Sequence, residues 1–391
     1  MKVVHLCNLP LPAGHPDYGK IQTHPGRWVL NLALAQKAHT KIKPILVVQI
    51  PGAKVDYQEE VEGIMVHYLA APDRFRSTTL FYFDARRISA YVRKLKPDFV
   101  HAHGTEDAFA LAAQATGLPC ALTVQGCYFI INRTFPPRLA SRERMVQFTE
   151  WLALRRAKHC IAKSAYVRDE LVRAFPNLTI HEIPNTIDPR LLELPVDRER
   201  EAGSLAFVGT LVPRKGVHLI ADALALMQRE DPTVFARIKL SVFGDRPGHE
   251  SGYETTCKKR LLNLLGERVT FHGTIPALEV AEALSRKEVL LAPSLEEMFG
   301  NQFIESVAVG ADAIVSEGTA MAENARLLRA GLVVPRGEAP ALAVAICEVL
   351  THRIRLAERG ARRKNVELAF GPKAVARMHR TLYAKLMKTD N

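Results

Sequence analysis

The sequence predicts an α/β protein built of two Rossmann-like, doubly wound domains, and three observations carry that expectation. A chain of 391 residues exceeds one ordinary core and suits two domains of roughly 150–200 residues each. Short β-branched runs alternate with amphipathic stretches along its whole length, the pattern of parallel strands joined by helical crossovers. A polar stretch over 184–202, carrying Pro184, Pro189 and Pro195, breaks the alternation before a new strand opens at Leu205.

In the first half, strands are expected over 2–6, 45–49, 65–68, 99–102, 121–124, 159–162 and 180–183, and helices over 27–38, 84–95, 108–115, 143–157 and 166–174. The second series runs through strands at 205–208, 238–243, 269–272, 289–292, 313–315 and 332–334, with helices at 216–228, 255–265, 277–285 and 301–310. The expected division is a first domain over 1–190, a linker over 191–202, a second domain over 203–371 and a terminal helical segment over 372–391. Open parallel sheets bind ligands beyond the carboxyl ends of their strands, so two such domains facing each other would form a cleft lined by strand-to-helix loops.

Composition narrows the function classes. With 48% hydrophobic and 24% charged residues, the chain has a globular make-up that leaves little room for disorder. Six cysteines show no C-x-x-C pair and no metal-ligand spacing, so a reducing, cytoplasmic setting is expected. His5, Asn8 and Pro10 interrupt the first apolar run, which reads as a buried strand and not as a signal peptide. No run of about 18 apolar residues occurs to cross a membrane.

The net charge of +12 favours anionic partners, whether phosphates, nucleic acid or an acidic lipid surface. Eleven Lys/Arg against three Asp/Glu lie between His352 and Asn391, which also fits a solvated basic helical face. No nucleic-acid motif or aromatic stacking platform accompanies the charge, so nucleic acid is not an expected partner. Residues 74–96 interleave Arg74, Arg76, Arg86, Arg87 and Arg93 with Phe75, Leu80, Phe81, Tyr82 and Phe83. That spacing suits peripheral contact with an anionic membrane, and equally an ordinary helix packed on the sheet.

Two loops carry the chemistry. Gly209-Thr210-Leu211-Val212-Pro213-Arg214-Lys215-Gly216 follows a strand and opens a helix. Backbone N–H groups there favour an anion, and Arg214 and Lys215 would neutralise a leaving diphosphate. The spacing is neither a P-loop nor a dinucleotide fingerprint. The second loop is Ala292-Pro293-Ser294-Leu295-Glu296-Glu297-Met298-Phe299-Gly300-Asn301-Gln302-Phe303-Ile304-Glu305. Glu297 would lie in the loop and Glu305 on the helix after it, where paired carboxylates can accept from vicinal hydroxyls and the Gly300 and Asn301 amides can hold phosphate. The same glutamates would also serve as a loop charge and a solvent-facing helix residue.

These segments resemble family 4 of the glycosyltransferases, retaining enzymes of the GT-B fold whose signature is a glutamate, seven residues and a second glutamate. Glu297 and Glu305 fit it, with Pro293-Ser294 and Phe299-Gly300 beside them. Further matches follow in order at Asp98-Phe99-Val100-His101-Ala102-His103-Gly104, Ile183-Pro184-Asn185-Thr186-Ile187-Asp188, Val242-Phe243-Gly244-Asp245 and Phe271-His272-Gly273.

The resemblance implies that Glu305 binds the donor ribose, Glu297 contacts the donor sugar, and Lys215, with Arg214 and Gly209, meets the diphosphate. It further implies that Phe299, Gly300 and Asn301 border sugar and phosphate, that backbone near Thr274 and Ile275 faces the base, and that the terminal helix crosses back onto the first domain. Two positions depart from the family pattern. Thr210 stands where members often carry arginine, and Gln125 where many carry histidine. Gln125 can bond a sugar hydroxyl but cannot shuttle protons. His103 is a second candidate sugar contact, while His101 reads as a near-core histidine. The irregular stretch from His15 to Gly26, with Asp17, His24 and then Arg27, is either an acceptor-pocket wall or a surface loop.

The expected activity is therefore retaining, metal-independent transfer from a UDP- or GDP-linked sugar to a hydroxyl acceptor on a sugar, glycan or lipid-linked molecule, by a cytoplasmic enzyme that is peripheral at most on the inner membrane face. The nucleotide-sugar is a substrate, and no cofactor is expected. A nucleotide-sugar epimerase or hydrolase, or a catalytically impaired donor-binding protein, would use the same residues.

Overall fold

The computed structural model describes residues 1–18, 20, 21, 26–137, 141–246, 250–352 and 358–389. The chain divides into one unit formed by Met1–Thr186 with Phe370–Asn391, and a second formed by Ile187–Ala369. The expected linker 191–202 thus groups with the second unit. The break falls at Thr186, earlier than Arg190, because residues 187–202 turn back onto their own unit: the Glu201 N–H donates to the Arg286 carbonyl, and Arg363 donates to the Leu191 carbonyl. Phe370 and Gly371 likewise group with the first unit.

In the first unit, strands β1 (Lys2–Cys7), β2 (Lys43–Pro51), β3 (Tyr57–Val61), β4 (Ile64–Ala71), β5 (Phe99–His103), β6 (Cys120–Thr123), β7 (His159–Ala162) and β8 (Thr179–Glu182) form one sheet in the order β3-β4-β2-β1-β5-β6-β7-β8. Every pairing is parallel except β3 with β4. The inner strands are largely apolar on both faces, as parallel strands covered by helices must be. Alternation along them then separates the two cores. Val4, Leu6, Val100 and Ala102 pack with Ile88, Val92 and Phe109 of the helices Tyr82–Leu95 and Ala108–Ala115. Val3, Phe99, Ala121 and Ile161 pack instead with Val375, Leu382, Tyr383 and Leu386 of the final helix, Pro372–Thr389.

The second unit holds β9 (Ser204–Val208), β10 (Lys239–Phe243), β11 (Val269–Phe271), β12 (Val289–Ala292), β13 (Asp312–Ser316) and β14 (Leu332–Val334), all parallel, in the order β11-β10-β9-β12-β13-β14. Helices Val217–Glu230 and Ala339–Leu350 pack together over β9, β10 and β12. The chain leaves β9 toward β10 and later returns to β12 on its other side, so the topological switch lies between β9 and β12. The first sheet has its switch between β1 and β5. Ligands of such sheets sit at the carboxyl ends beside these switches.

Several elements escape the sequence reading. Strand β3 is antiparallel at the sheet edge and alternates half-buried with exposed residues. Its Gln58, Glu59 and Glu60 carry no apolar run. Helices Tyr128–Thr134, Ala320–Leu328, Ala339–Leu350 and Arg359–Phe370 are likewise additional.

Candidate functional site

The loops after β9 and β12 meet at the switch of the second sheet. Gly209 continues the ladder, its N–H donating to the Phe243 carbonyl at 2.9 Å. A single helical turn at Pro213–Lys215 then ends on Gly216, whose φ of +72° belongs to the left-handed region. A Cβ on Gly216 would lie 2.0 Å from the Pro293 carbonyl oxygen, so glycine lets the two loops touch. The Leu295 N–H donates to the Arg214 carbonyl at 2.8 Å, and the Arg214 guanidinium donates to the Glu296 carbonyl at 2.9 Å.

This contact brings Lys215 onto Glu297, which accepts from its ammonium group, with Arg214 3.9 Å from the same oxygen and the Gln302 amide at 3.4 Å. Burial opposes ionisation of Glu297, but Lys215 and then Arg214 outweigh it and hold the carboxyl down to about 2. Burial lowers Lys215 from the ordinary lysine value, while Glu297 pulls the other way. The carboxylate decides the state of the pair: with Glu297 ionised throughout the neutral range, Lys215 stays the cation that matches it.

Glu305 sits in the second turn of helix Asn301–Ala308. It is half-buried, and among the described residues no side-chain hydrogen bond or ion pair reaches it. Burial, and then nearby Asp188, push its carboxyl up to about 7. The helix begins on Gly300, at φ +81°, with no side-chain cap, and a Cβ there would strike Met321 at 2.2 Å. The helix start therefore presents backbone amides, the arrangement that suits an anion. Phe299 is buried, and its carbonyl accepts from Asn324 at 2.9 Å, so it shapes the loop from below. Thr274 lies exposed after β11, where Asp245, 1% exposed, accepts from the Gly273 N–H at 2.6 Å and from Lys258 at 3.1 Å.

In the first unit, Gln125 follows β6 and accepts on Oε1 from the Lys163 ammonium at 2.7 Å. His103 turns inward: its Nε2 lies 2.9 Å from His5 Nδ1, while His5 Nε2 meets Gln36 Oε1 at 2.9 Å. Because the Gln36 oxygen only accepts, His5 carries its proton on Nε2 and takes the His103 proton bond on Nδ1. His101 is bound by Tyr383 and Thr123, each at 2.6 Å. Burial holds His5 down to about 3 and His101 and His103 well below the ordinary value. Among the described residues these three histidines also make the one group with metal-ligand proximity, their nitrogens within 4.8 Å. A cation there would have to displace the hydrogen bonds just described. His15 is buried edge-on against Tyr57, so this part of the 15–26 stretch is packed, whereas His24 lies outside the described residues.

Sequence comparison settles the family. Residues 26–191 match the family description "Glycosyltransferase Family 4", and residues 202–352 match "Glycosyl transferases group 1". The chain belongs to the family 4, group 1 glycosyltransferases. This glycosyltransferase is 26% identical to a 2-deoxystreptamine N-acetyl-D-glucosaminyltransferase of Streptomyces fradiae, over 89% of this chain and 86% of that one. It is 27% identical to a glycogen synthase of Mycobacterium tuberculosis over 66% of this chain and 61% of that one. Its fold is similar to that of sucrose-phosphate synthase from Thermosynechococcus elongatus, with a TM-score of 0.76, 22% identity and 99% of each chain covered. It is also similar to Anabaena HepE in complex with UDP and glucose, with a TM-score of 0.71, 16% identity, 98% of this chain and all of that one. The two parallel-sheet domains are of the GT-B type.

In the second unit of the glycosyltransferase, Gly209, Arg214, Lys215, Glu297, Gly300 and Asn301 come together around one pair of loops. Sequence reasoning missed Gln302, which touches Glu297, and Arg336, which donates to the Leu295 carbonyl at 3.2 Å and to Glu296 at 3.3 Å. It also missed Lys163. That lysine follows β7 in Ala162-Lys163-Ser164, a cation directly after a buried strand, and its position was the readable signal.

Proposed function

We propose that this glycosyltransferase moves a sugar from a nucleoside diphosphate donor, UDP- or GDP-linked, to a hydroxyl acceptor with retention at the anomeric carbon and without a metal. The observation that carries the donor side is the Lys215–Glu297 pair beside an uncapped helix start and the open carboxyl of Glu305. Diphosphate charge needs compensation, and Lys215, Arg214 and the helix amides supply it where a metal would otherwise stand. Glu305 accepts from the ribose hydroxyls, and Glu297 orients the transferred sugar. With Gln125 unable to take a proton, the departing phosphate is the base for the acceptor hydroxyl. The fold neighbour HepE was solved with UDP and glucose and with UDP-glucose, which favours a uridine donor.

The acceptor is a sugar, glycan or lipid-linked sugar bound by the first unit. Exposed Phe75, Tyr82 and Phe83 stand there with exposed Arg74, Arg86 and Arg87, while Phe81, Ile88 and Val92 of the same stretch enter the core. This surface suits peripheral contact with anionic lipid. No helix among the described residues is long and apolar enough to cross a membrane.

The test is a melting-temperature screen against UDP, GDP and their sugar conjugates, followed by NMR of the product anomer. A nucleotide-dependent rise and a product of the donor's configuration are expected. Inversion, or turnover to an epimer without acceptor, would overturn the assignment.

A further inference from the structure

One helix of the first unit, Arg142–Arg156, presents two faces with separate tasks. Val146, Thr149, Glu150, Ala153 and Leu154 are buried on it, as a helix packed on a sheet requires. Arg144, Phe148, Trp151 and Arg155 follow one another at steps of four, three and four residues, so they line one further stripe. Phe148 is 48% exposed and Trp151 39%, with their rings stacked at 5.5 Å and the Arg155 guanidinium 5.0 Å from the Trp151 ring centre. An aromatic pair left outward between two arginines is not explained by the core.

Phe148 and Trp151 line a cavity of about 320 Å³ together with Phe129 and Phe175, which meet edge to face at 5.8 Å. Arg144 also lines it, is exposed, and is reached by no ion pair among the described residues. Glu150 is the one acid of the lining, and its oxygens are spent on the Tyr128 N–H at 3.2 Å and the Phe129 N–H at 3.0 Å. Burial, and then Glu106, push its carboxyl up to about 8, so it brings no charge at neutral pH. A sugar ring needs convergent polar partners, which four aromatic rings do not supply, whereas an apolar chain needs none.

Two neighbours of the cavity indicate whose chain it takes. The helix that carries Phe129, Tyr128–Thr134, begins three residues after Gln125, the sugar contact assigned above. The turn Ser77–Thr79, set between exposed Phe75 and Tyr82, packs against helix Arg142–Arg156, so the basic and aromatic surface of that segment adjoins the same helix. We propose that this cavity holds the hydrocarbon chain of a lipid-linked acceptor, with Arg144 meeting a phosphate at the head of that chain. Arginine at the rim of an apolar surface keeps its charge in water while its stem packs, which suits a lipid that is anionic at one end. This deepens the acceptor side of the function proposed above and rests on it for calling the lipid an acceptor.

The test uses the whole protein carrying Trp28→Phe, which leaves Trp151 as the only tryptophan. The probes are glucosyl alkyl phosphates of four, eight and twelve carbons with bromine at the chain end, which quenches indole only on contact. Glucose 1-phosphate and brominated phosphatidylglycerol vesicles are the controls. The soluble series should quench Trp151, and affinity should tighten about fourfold per added CH₂ until the cavity is filled. Phe148→Ser should melt with the parent, because that ring is half exposed, and weaken chain binding about tenfold or more, while Phe148→Leu should restore most of it. Arg144→Gln should weaken the phosphate series several-fold. With UDP-glucose as donor, KM for the series should fall with chain length at constant kcat. An unquenched Trp151 overturns the inference, as does quenching by the vesicles alone, which marks general adsorption. Trp151 emission that changes with protein concentration without any probe, together with a doubled mass in sedimentation, gives the face to a second copy and overturns it too. Turnover with a KM indifferent to chain length removes the chain from the acceptor. Nucleotide-induced melting shifts beside an unquenched Trp151 sink this inference alone, whereas quenching without any nucleotide effect leaves the cavity standing and sinks the donor assignment.

Discussion

Lys215 reaches Glu297 across two loops that are 82 residues apart in sequence, and the two charges are buried together. Removing one partner of a buried pair strands the other, at about 3–5 kcal/mol, whereas removing both is far milder. Lys215→Ala should therefore melt well below the parent and lose its response to nucleotide. Adding Glu297→Ala should recover much of the stability and none of the response, and a double-mutant cycle on denaturant midpoints measures the coupling. The folded Glu297 carboxyl, near 2, lies below its ordinary 4.5. Its contribution is thus present above pH 4.5 and lost as the pH falls toward 2, and Glu297→Gln should flatten stability over that window.

Glu305 behaves in the opposite sense. Its folded carboxyl, near 7, lies above the ordinary 4.5. Stability associated with it is fully present below pH 4.5 and lost as the pH rises through 7. Glu305→Gln should stabilise the unliganded protein at pH 8 by up to about 2–3 kcal/mol and change little at pH 4.5.

Hydroxyl recognition needs the ionised form of Glu305, so nucleoside affinity should rise about tenfold from pH 6 to pH 8 in the parent. Titration calorimetry on Glu305→Gln should give weaker binding with that increment removed. An identical pH profile in parent and variant would count against a ribose contact.

Gly216 tests the loop contact itself. Ala at Gly216 must adopt a left-handed φ and also meet the Pro293 carbonyl at 2.0 Å. Gly117, with the same φ of +72° and open space around it, isolates the backbone cost alone. Gly117→Ala should cost about 1 kcal/mol. Gly216→Ala should cost several times more and abolish the nucleotide-induced melting shift, because the loops that pair Lys215 with Glu297 must part.

The two sheets and the donor loops were legible because each rests on local sequence. Apolar runs mark the buried strands, and Gly209, Lys215, Glu297 and Glu305 lie at short, fixed spacings after them. What stayed hidden depends on contacts distant in sequence. Lys163 acquires meaning only beside Gln125, 38 residues away, and Tyr383 only beside His101, 282 residues away. Helix Ala320–Leu328 is a different case. Its cap was readable, since Thr319 accepts from the Ala322 N–H. Its nine residues are too few for periodicity to stand out.

The buried histidines of the first unit predict how it responds to acid. His5, His101, His103 and His379 all titrate below the ordinary 6.5, burial being the first cause in each. The unfolded chain binds protons at pH 6.5 and the folded chain does not, so stability holds above 6.5 and falls as the pH drops toward the folded values, about 3 for His5 and about 4 for His379. Each histidine contributes a slope of up to about 1.4 kcal/mol per pH unit in that window. The groups hydrogen-bonded to this cluster, Gln36, Tyr383 and Thr123, are neutral, and the Lys163 cation opposes protonation of His103, so among the described residues nothing offsets the incoming charge. Denaturant midpoints between pH 6.5 and 4.5 should fall steeply. His379→Gln, which removes one proton site at the cluster's edge while keeping a polar side chain, should reduce the slope by about one proton's worth. A slope unchanged in His379→Gln would show that this imidazole is already charged within the fold.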